Sequence, residues 1–180
     1  DVAADDSVRC LILTGAGGHF MAGGDIGYFS ECTKIPVAER HPEINKIIGT
    51  IHEAISSLRE MPKPVVASVS GAVAGFGVSL MAACDLVVAA ENTKFASAYC
   101  QLGVSPDGGG TFFLPRMVGD KRAREIMFLG ERITAPEALA MGLVNKVVAV
   151  DELAAATGTL VQRLVNGPRD SIVASKRLLN

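Results

Sequence analysis

From Gly71 to Asp85 the chain reads Gly-Ala-Val-Ala-Gly-Phe-Gly-Val-Ser-Leu-Met-Ala-Ala-Cys-Asp, an apolar strand that breaks at small residues and passes at once into an apolar helix. Such a junction is an anion site. Gly75 and Gly77 let backbone approach a ligand closely, and the first N–H groups of the following helix have no intrahelical partner and lie at the positive end of its dipole. A second glycine turn, Phe20-Met-Ala-Gly-Gly-Asp-Ile26, follows an earlier strand and is suited to bring another N–H to the same point. Two such donors form an oxyanion hole, which stabilises negative charge as it develops on a carbonyl oxygen.

Three other groups of residues invite chemistry, and each has a plain rival. Gly15-Ala-Gly-Gly18 follows a strand as a dinucleotide loop would, but the third glycine of G-x-G-x-x-G falls on Phe20, and for Gly75-x-Gly77 it falls on Leu80. Nicotinamide and flavin binding are therefore set aside. Ser79 in Gly77-Val-Ser-Leu-Met81 lacks the closing glycine of a nucleophile elbow, so it reads as a small pocket-lining or capping residue. Ser105-Pro-Asp-Gly-Gly-Gly-Thr111 is ordinary turn chemistry unless Asp107 has further work. His19, in a glycine loop, and His52, on the polar side of its helix, read as solvated. Cys10, Cys32, Cys84 and Cys100 stand singly, three of them in apolar runs, and read as reduced thiols rather than metal ligands or disulfide partners.

The elements that must position these residues alternate along the chain. Val8–Thr14, Pro64–Ser70, Asp85–Ala90 and Lys146–Val150 are short β-branched runs that read as strands buried on both faces. Ile44, Ile47, Ile48, Ile51, Ile55 and Leu58 recur at helical steps on one face of a helix that ends at Met61-Pro-Lys-Pro64. Residues 77–84 form a short helix. Asp120–Leu129 and Thr134–Met141 each begin at a capping-type residue and stop at a glycine, and further helices start near Asp151 and Asp170. The fold class is α/β. The mixed-charge stretch from Pro36 to Pro42 is expected to be a mobile loop.

With 180 residues, 49% of them hydrophobic and 20% charged, the chain suits one globular domain, and its net charge of −2 offers no field for nucleic acid or an anionic membrane surface. No run approaches the roughly 18 apolar residues of a membrane span, and no leader opens the sequence. A cytosolic (cytoplasmic) or organelle-matrix location is expected.

Gly23-Gly-Asp25 after Phe20, the Gly71–Asp85 segment, Leu102-Gly-Val-Ser-Pro-Asp-Gly-Gly-Gly-Thr111 and the block from Gly130 to Asn145 stand in one order and spacing. Together they resemble the crotonase, or enoyl-CoA hydratase/isomerase, superfamily over nearly the whole chain. The resemblance implies a spiral of repeated strand-strand-helix units, usually trimeric or a dimer of trimers (a hexamer), that binds an acyl-CoA thioester and polarises its carbonyl. Coenzyme A then arrives as part of the substrate, and neither a separate cofactor nor a metal is expected. By position, the donors are the backbone N–H groups of Gly24 and Phe76, the latter where the family usually has glycine, and Ala22, Asp25 and Ile26 line the coenzyme A site. Asp25 could equally be a helix cap. Family members normally carry two further strands and a helix before Val8 and helices after Asn180 that build the trimer, so residues 1–180 are expected to be the core of a longer protein.

Departures from the family pattern bear on the chemistry. Where hydratases carry two glutamates, this chain has Ser79 and Tyr99, which argues against ordinary hydration. Asp107 remains, at the turn where isomerase-like members place an acidic residue beside the acyl chain. One carboxylate suffices to move a proton from one carbon to another, so the expected activity is an enoyl-CoA isomerase with Asp107 as the proton shuttle. The rivals are a hydratase or other lyase using Asp107 or Tyr99, an aryl-CoA dehalogenase or thioesterase, and a catalytically silent binding module. The dehalogenases of the family support their aspartate with a tryptophan at the position of Tyr99, and this chain has no Trp.

Overall fold

The computed structural model describes residues 2–180. Four parallel strands, β1 (Leu11–Thr14), β2 (Val65–Val69), β4 (Leu86–Ala90) and β7 (Lys146–Val148), form one sheet in the order β1-β2-β4-β7. A second sheet, in the order β3-β5-β6, joins β3 (Ala72–Ala74) to β5 (Lys94–Ala96) in parallel and β5 to β6 (Ile133–Thr134) in antiparallel fashion. After the central strands β2 and β4, the chain therefore steps sideways into a second layer: β2 leads within three residues into β3, and β4 within four into β5. This repeated handover from one sheet to the other is the strand-strand-helix pattern expected.

Position in the sheet decides burial. The interior strands β2 and β4 are covered on both faces, as their Val- and Ala-rich runs require, whereas the edge strand β1 alternates half-buried with exposed residues and β7 begins exposed. The expectation of two-sided burial thus fails at both edges. The main core gathers Val65, Ala67, Val69, Val73, Val78, Met81, Val87, Ala89, Phe95 and Leu114 between the two sheets and the helices on them.

Helices α1 (Ile26–Thr33) and α2 (Val37–Glu60) follow the first strand. The Pro36–Pro42 stretch expected as a loop is the start of α2 instead. Pro42 forfeits one backbone bond early in the helix, and Arg40 reaches back to the carbonyls of Thr33, at 2.8 Å, and Ile35, at 3.0 Å, which holds the helix entry in place. α3 (Phe76–Ala82) links β3 to β4, and α4 (Tyr99–Leu102) follows β5. α5 (Gly110–Val118), which the sequence does not announce, starts at the end of the Pro-Asp-Gly-Gly turn and packs on α3 and on α6 (Asp120–Leu129). α7 (Ala135–Ala140) opens with a complete capping box between Thr134 and Glu137; α8 (Leu153–Val165) and α9 (Arg169–Leu179) finish the chain. No helix among the described residues is long and apolar enough to cross a membrane.

Candidate active site

The two glycine turns meet. Met21 pairs with Val73 as an isolated parallel bridge, its N–H donating to the Ala72 carbonyl at 3.1 Å and its carbonyl accepting from the Ala74 N–H at 2.8 Å. The first loop is thereby laid along β3, so that Gly23 and Gly75, at the ends of the paired segments, come into contact. A side chain on Gly75 would lie 3.5 Å from the Gly23 Cα. Both glycines have positive φ, +103° and +53°, the region where an L side chain is strained. Gly77 tightens the junction further, because a Cβ there would come within 2.4 Å of the Met21 carbonyl oxygen. Across the turn, the Gly75 N–H donates to the Ala96 carbonyl of β5 at 3.0 Å.

This clamp fixes the entry into α3. Phe76 is its first residue, so the Phe76 N–H precedes the intrahelical ladder, and the Gly75 cap has no side chain to accept it. Gly24, on the facing turn, is exposed and sits under the ring of Phe29: a Cβ on Gly24 would lie 2.7 Å from Phe29 Cε2. Beside it Asp25 caps α1, its carboxylate accepting from the Tyr28 N–H at 3.1 Å, so that carboxylate is already engaged. Ala22 and Ile26 are exposed on the same loop and helix start.

The third component comes from the turn ahead of α5. Ser79, on α3, is 1% exposed and donates its hydroxyl to the Asp107 carbonyl at 2.9 Å. Tyr99, 8% exposed, donates its hydroxyl to Asp107 Oδ1 at 2.6 Å. Asp107 is thus held twice, by its main chain and by its side chain, while no hydrogen bond from the described residues engages Oδ2. Burial, reinforced by the bond to Asp107, raises the Tyr99 phenol well above its ordinary value, so it is a neutral donor. The residue before it, Ala98, where the chain passes from β5 into α4, has φ +49°, the one positive value at a non-glycine among the described residues.

The bulky ring of Phe76 finds its space at Gly108. That glycine has φ +57°, and a Cβ on it would meet Phe76 Cε2 at 2.5 Å and Ser79 Cβ at 3.0 Å. The phenyl ring therefore lies against the Asp107 turn and packs on the small cluster formed by Ile55, Ala82, Ala83 and Phe113. Gly110 is equally constrained, since a Cβ there would lie 2.6 Å from Ser79 Oγ. α3, the Asp107 turn and Tyr99 form one packed unit.

Residues 1–180 match the family model described as Enoyl-CoA hydratase/isomerase. The chain belongs to the enoyl-CoA hydratase/isomerase family. It is 34% identical over 179 residues to the 1,2-epoxyphenylacetyl-CoA isomerase of Escherichia coli (strain K12), a match covering 99% of this chain and 67% of that one. It is 35% identical over 178 residues to the crotonyl-CoA hydratase of Syntrophomonas wolfei, covering 98% and 65%. Among solved structures, an enoyl-CoA hydratase from Polaromonas sp. JS666 aligns with a TM-score of 0.91 at 36% identity, over 99% of this chain and 68% of that one. This member of the enoyl-CoA hydratase/isomerase family therefore spans about two thirds of the length of these relatives.

Some of the remaining readings hold and others change. His19 and His52 are both exposed, as expected, and His19 also has a structural partner: its Nδ1 accepts from the Ala72 N–H at 3.0 Å and it packs on Gly71, whose φ is +60°. Cys32 and Cys84 are buried, Cys10 is half-buried and Cys100 is exposed. Burial pushes the Cys84 thiol up to about 12, which leaves it inert. No group of three or more metal-ligating side chains occurs among the described residues. Sequence reasoning missed Phe29, Ala98 and Gly108; only Gly108 carried a signal, as part of a glycine run.

Proposed function

We propose that this protein is an enoyl-CoA isomerase that moves a double bond through a thioester enolate. The acyl thioester oxygen is held by the N–H groups of Gly24 and Phe76, and each such donor typically contributes 10²- to 10³-fold in rate. Asp107 takes a proton from the carbon next to the carbonyl. The C–H electron pair moves into the conjugated system, and charge appears on the thioester oxygen. The Asp107 proton then goes to the far carbon, the enolate pair forms the new C–H bond, and the double bond has shifted with the carboxylate restored. Coenzyme A binds along Ala22, Asp25 and Ile26 as part of the substrate, and no separate cofactor enters.

The observation that carries this reading is the tie between the donor helix and the acid turn, in which Ser79 of α3 bonds Asp107 and Phe76 packs on Gly108. It sets a single carboxylate at a fixed offset from the oxyanion donors. Hydration calls for one group to activate water and another to deliver a proton, and the family's two glutamate positions hold a serine whose hydroxyl is already donated and a phenol that burial keeps neutral. By family analogy the full-length protein assembles as a trimer or a dimer of trimers, in keeping with exposed Ile26, Val37, Phe128, Leu178 and Leu179.

The test is Asp107→Asn, which keeps volume and turn preference while removing the base. Turnover of a 3-enoyl-CoA by the full-length protein should fall by about 10²- to 10⁴-fold with thioester affinity retained. Unchanged turnover would remove Asp107 from the chemistry.

A further inference from the structure

We infer that Tyr99 is a positioning residue whose phenol occupies Oδ1 of Asp107 and thereby reserves Oδ2 for the substrate proton. This rests on the isomerase reading and adds to it a division of labour between the two carboxylate oxygens. A carboxylate free to rotate presents two equivalent oxygens, each with lone pairs for solvent or substrate. Here the 2.6 Å bond from Tyr99 Oη removes that equivalence. The phenol is held among buried residues, with only 8% of Tyr99 exposed.

Two further contacts fix the main chain that carries the carboxyl. The Ser79 hydroxyl holds the Asp107 carbonyl at 2.9 Å, and the Gly110 N–H donates to the same carbonyl at 3.2 Å, so the main chain from which the carboxyl hangs is itself fixed. Tyr99 therefore does not exchange a proton with the substrate. It stays a hydroxyl throughout, while Oδ2 alone accepts the proton from one carbon and donates it to the other. A proton carried on one oriented oxygen, with the carboxyl held from rotating by the bond to the other, returns to the same substrate molecule more often than one carried on a freely rotating carboxyl.

The experiment uses the full-length protein and a 3-enoyl-CoA deuterated at the carbon beside the carbonyl. It reads kcat, KM and the fraction of label that reappears at the far carbon. Tyr99→Phe keeps the ring and removes the hydroxyl. It should lower kcat by about 10- to 100-fold, leave KM within about twofold, and cut label return by at least half, whereas Asp107→Asn should lower turnover by about 10²- to 10⁴-fold. Loss of kcat with label return unchanged, or no change in either, would overturn the positioning role while leaving Asp107 as the base. Full turnover by Asp107→Asn would overturn both readings. If Tyr99→Phe does not fold, 3-fluorotyrosine at position 99 alone gives a second measurement. Its fluorine resonance should shift when Asp107 becomes Asn, and a resonance indifferent to that change would contradict the bond on which the inference stands.

Discussion

Two polar clusters sit at opposite ends of the α3–β4 unit, and they differ in one respect. At the end away from the candidate active site, Lys176 of α9 is 8% exposed and its ammonium donates to the carbonyls of Leu58, at 2.8 Å, and Lys63, at 3.0 Å, and to Asp85 Oδ2 at 2.8 Å. An ammonium has three N–H donors, and all three are used. Asp85 Oδ2 also accepts the Val65 N–H at 2.7 Å, and the neighbouring Lys63 ammonium is taken up by the carbonyls of Val2 and Asp5. At the other end, the cluster of Ser79, Tyr99 and Asp107 leaves one carboxylate oxygen without a partner among the described residues, and the helix-start N–H of Phe76 faces no side-chain cap. Both clusters are largely buried and both carry charge. Asp85 is ion-paired with Lys176, whereas among the described residues no ion pair engages Asp107, and a carboxylate held in place without a counter-ion is what separates a site from a strut.

That contrast can be broken at its closed end first. Lys176→Met strands Asp85 with a largely buried, unpaired charge, and should destabilise the fold by about 3–5 kcal/mol while leaving the kcat of the remaining folded protein within about twofold. Denaturant midpoints and active-site-normalised rates measure the two effects. Adding Asp85→Asn to Lys176→Met should recover part of the loss, since the pair acts as a unit; additive losses would mean that the cluster is not coupled. At the open end the effects reverse. Gly24→Pro removes one backbone donor and should cost about 10²- to 10³-fold in kcat with a much smaller change in stability. Retained turnover in a folded Gly24→Pro protein would exclude that N–H from the chemistry. The smallest effect belongs to Asp25→Ala, which removes the cap of α1 and should cost about 0.5–2 kcal/mol, with KM for the thioester raised less than about threefold if the carboxylate serves the helix rather than the ligand.

What is legible in the sequence follows from range. β2 and β4 announce themselves because two-sided burial demands runs such as Val65-Val-Ala-Ser-Val69, and the two facing glycine turns announce themselves because positive φ and close backbone approach demand glycine at positions 23, 75 and 77. Of the second sheet only β3 is legible, as the apolar strand ahead of the Gly75 turn; β5 and β6 span three and two residues, too short for any period to register. α5 hides behind Pro115, and the start of α2 behind Pro36 and Pro42, since proline argues against a helix locally while tertiary contacts decide in its favour. Asp107 stands out by family position. Its bonds to Tyr99 and Ser79 do not, because they join segments 8 and 28 residues apart whose approach depends on β5 crossing beside β3.

The central claim is that Asp107 moves a proton within one substrate, and the most direct test follows the atoms in the unmodified protein. A 3-enoyl-CoA deuterated beside the carbonyl is turned over in water enriched in oxygen-18. The product should be the 2-enoyl isomer carrying part of the deuterium at the far carbon and no heavy oxygen. Oxygen-18 in a hydroxyl product, with rates unaffected by Asp107→Asn, would contradict the account and identify a hydratase built around Tyr99 instead.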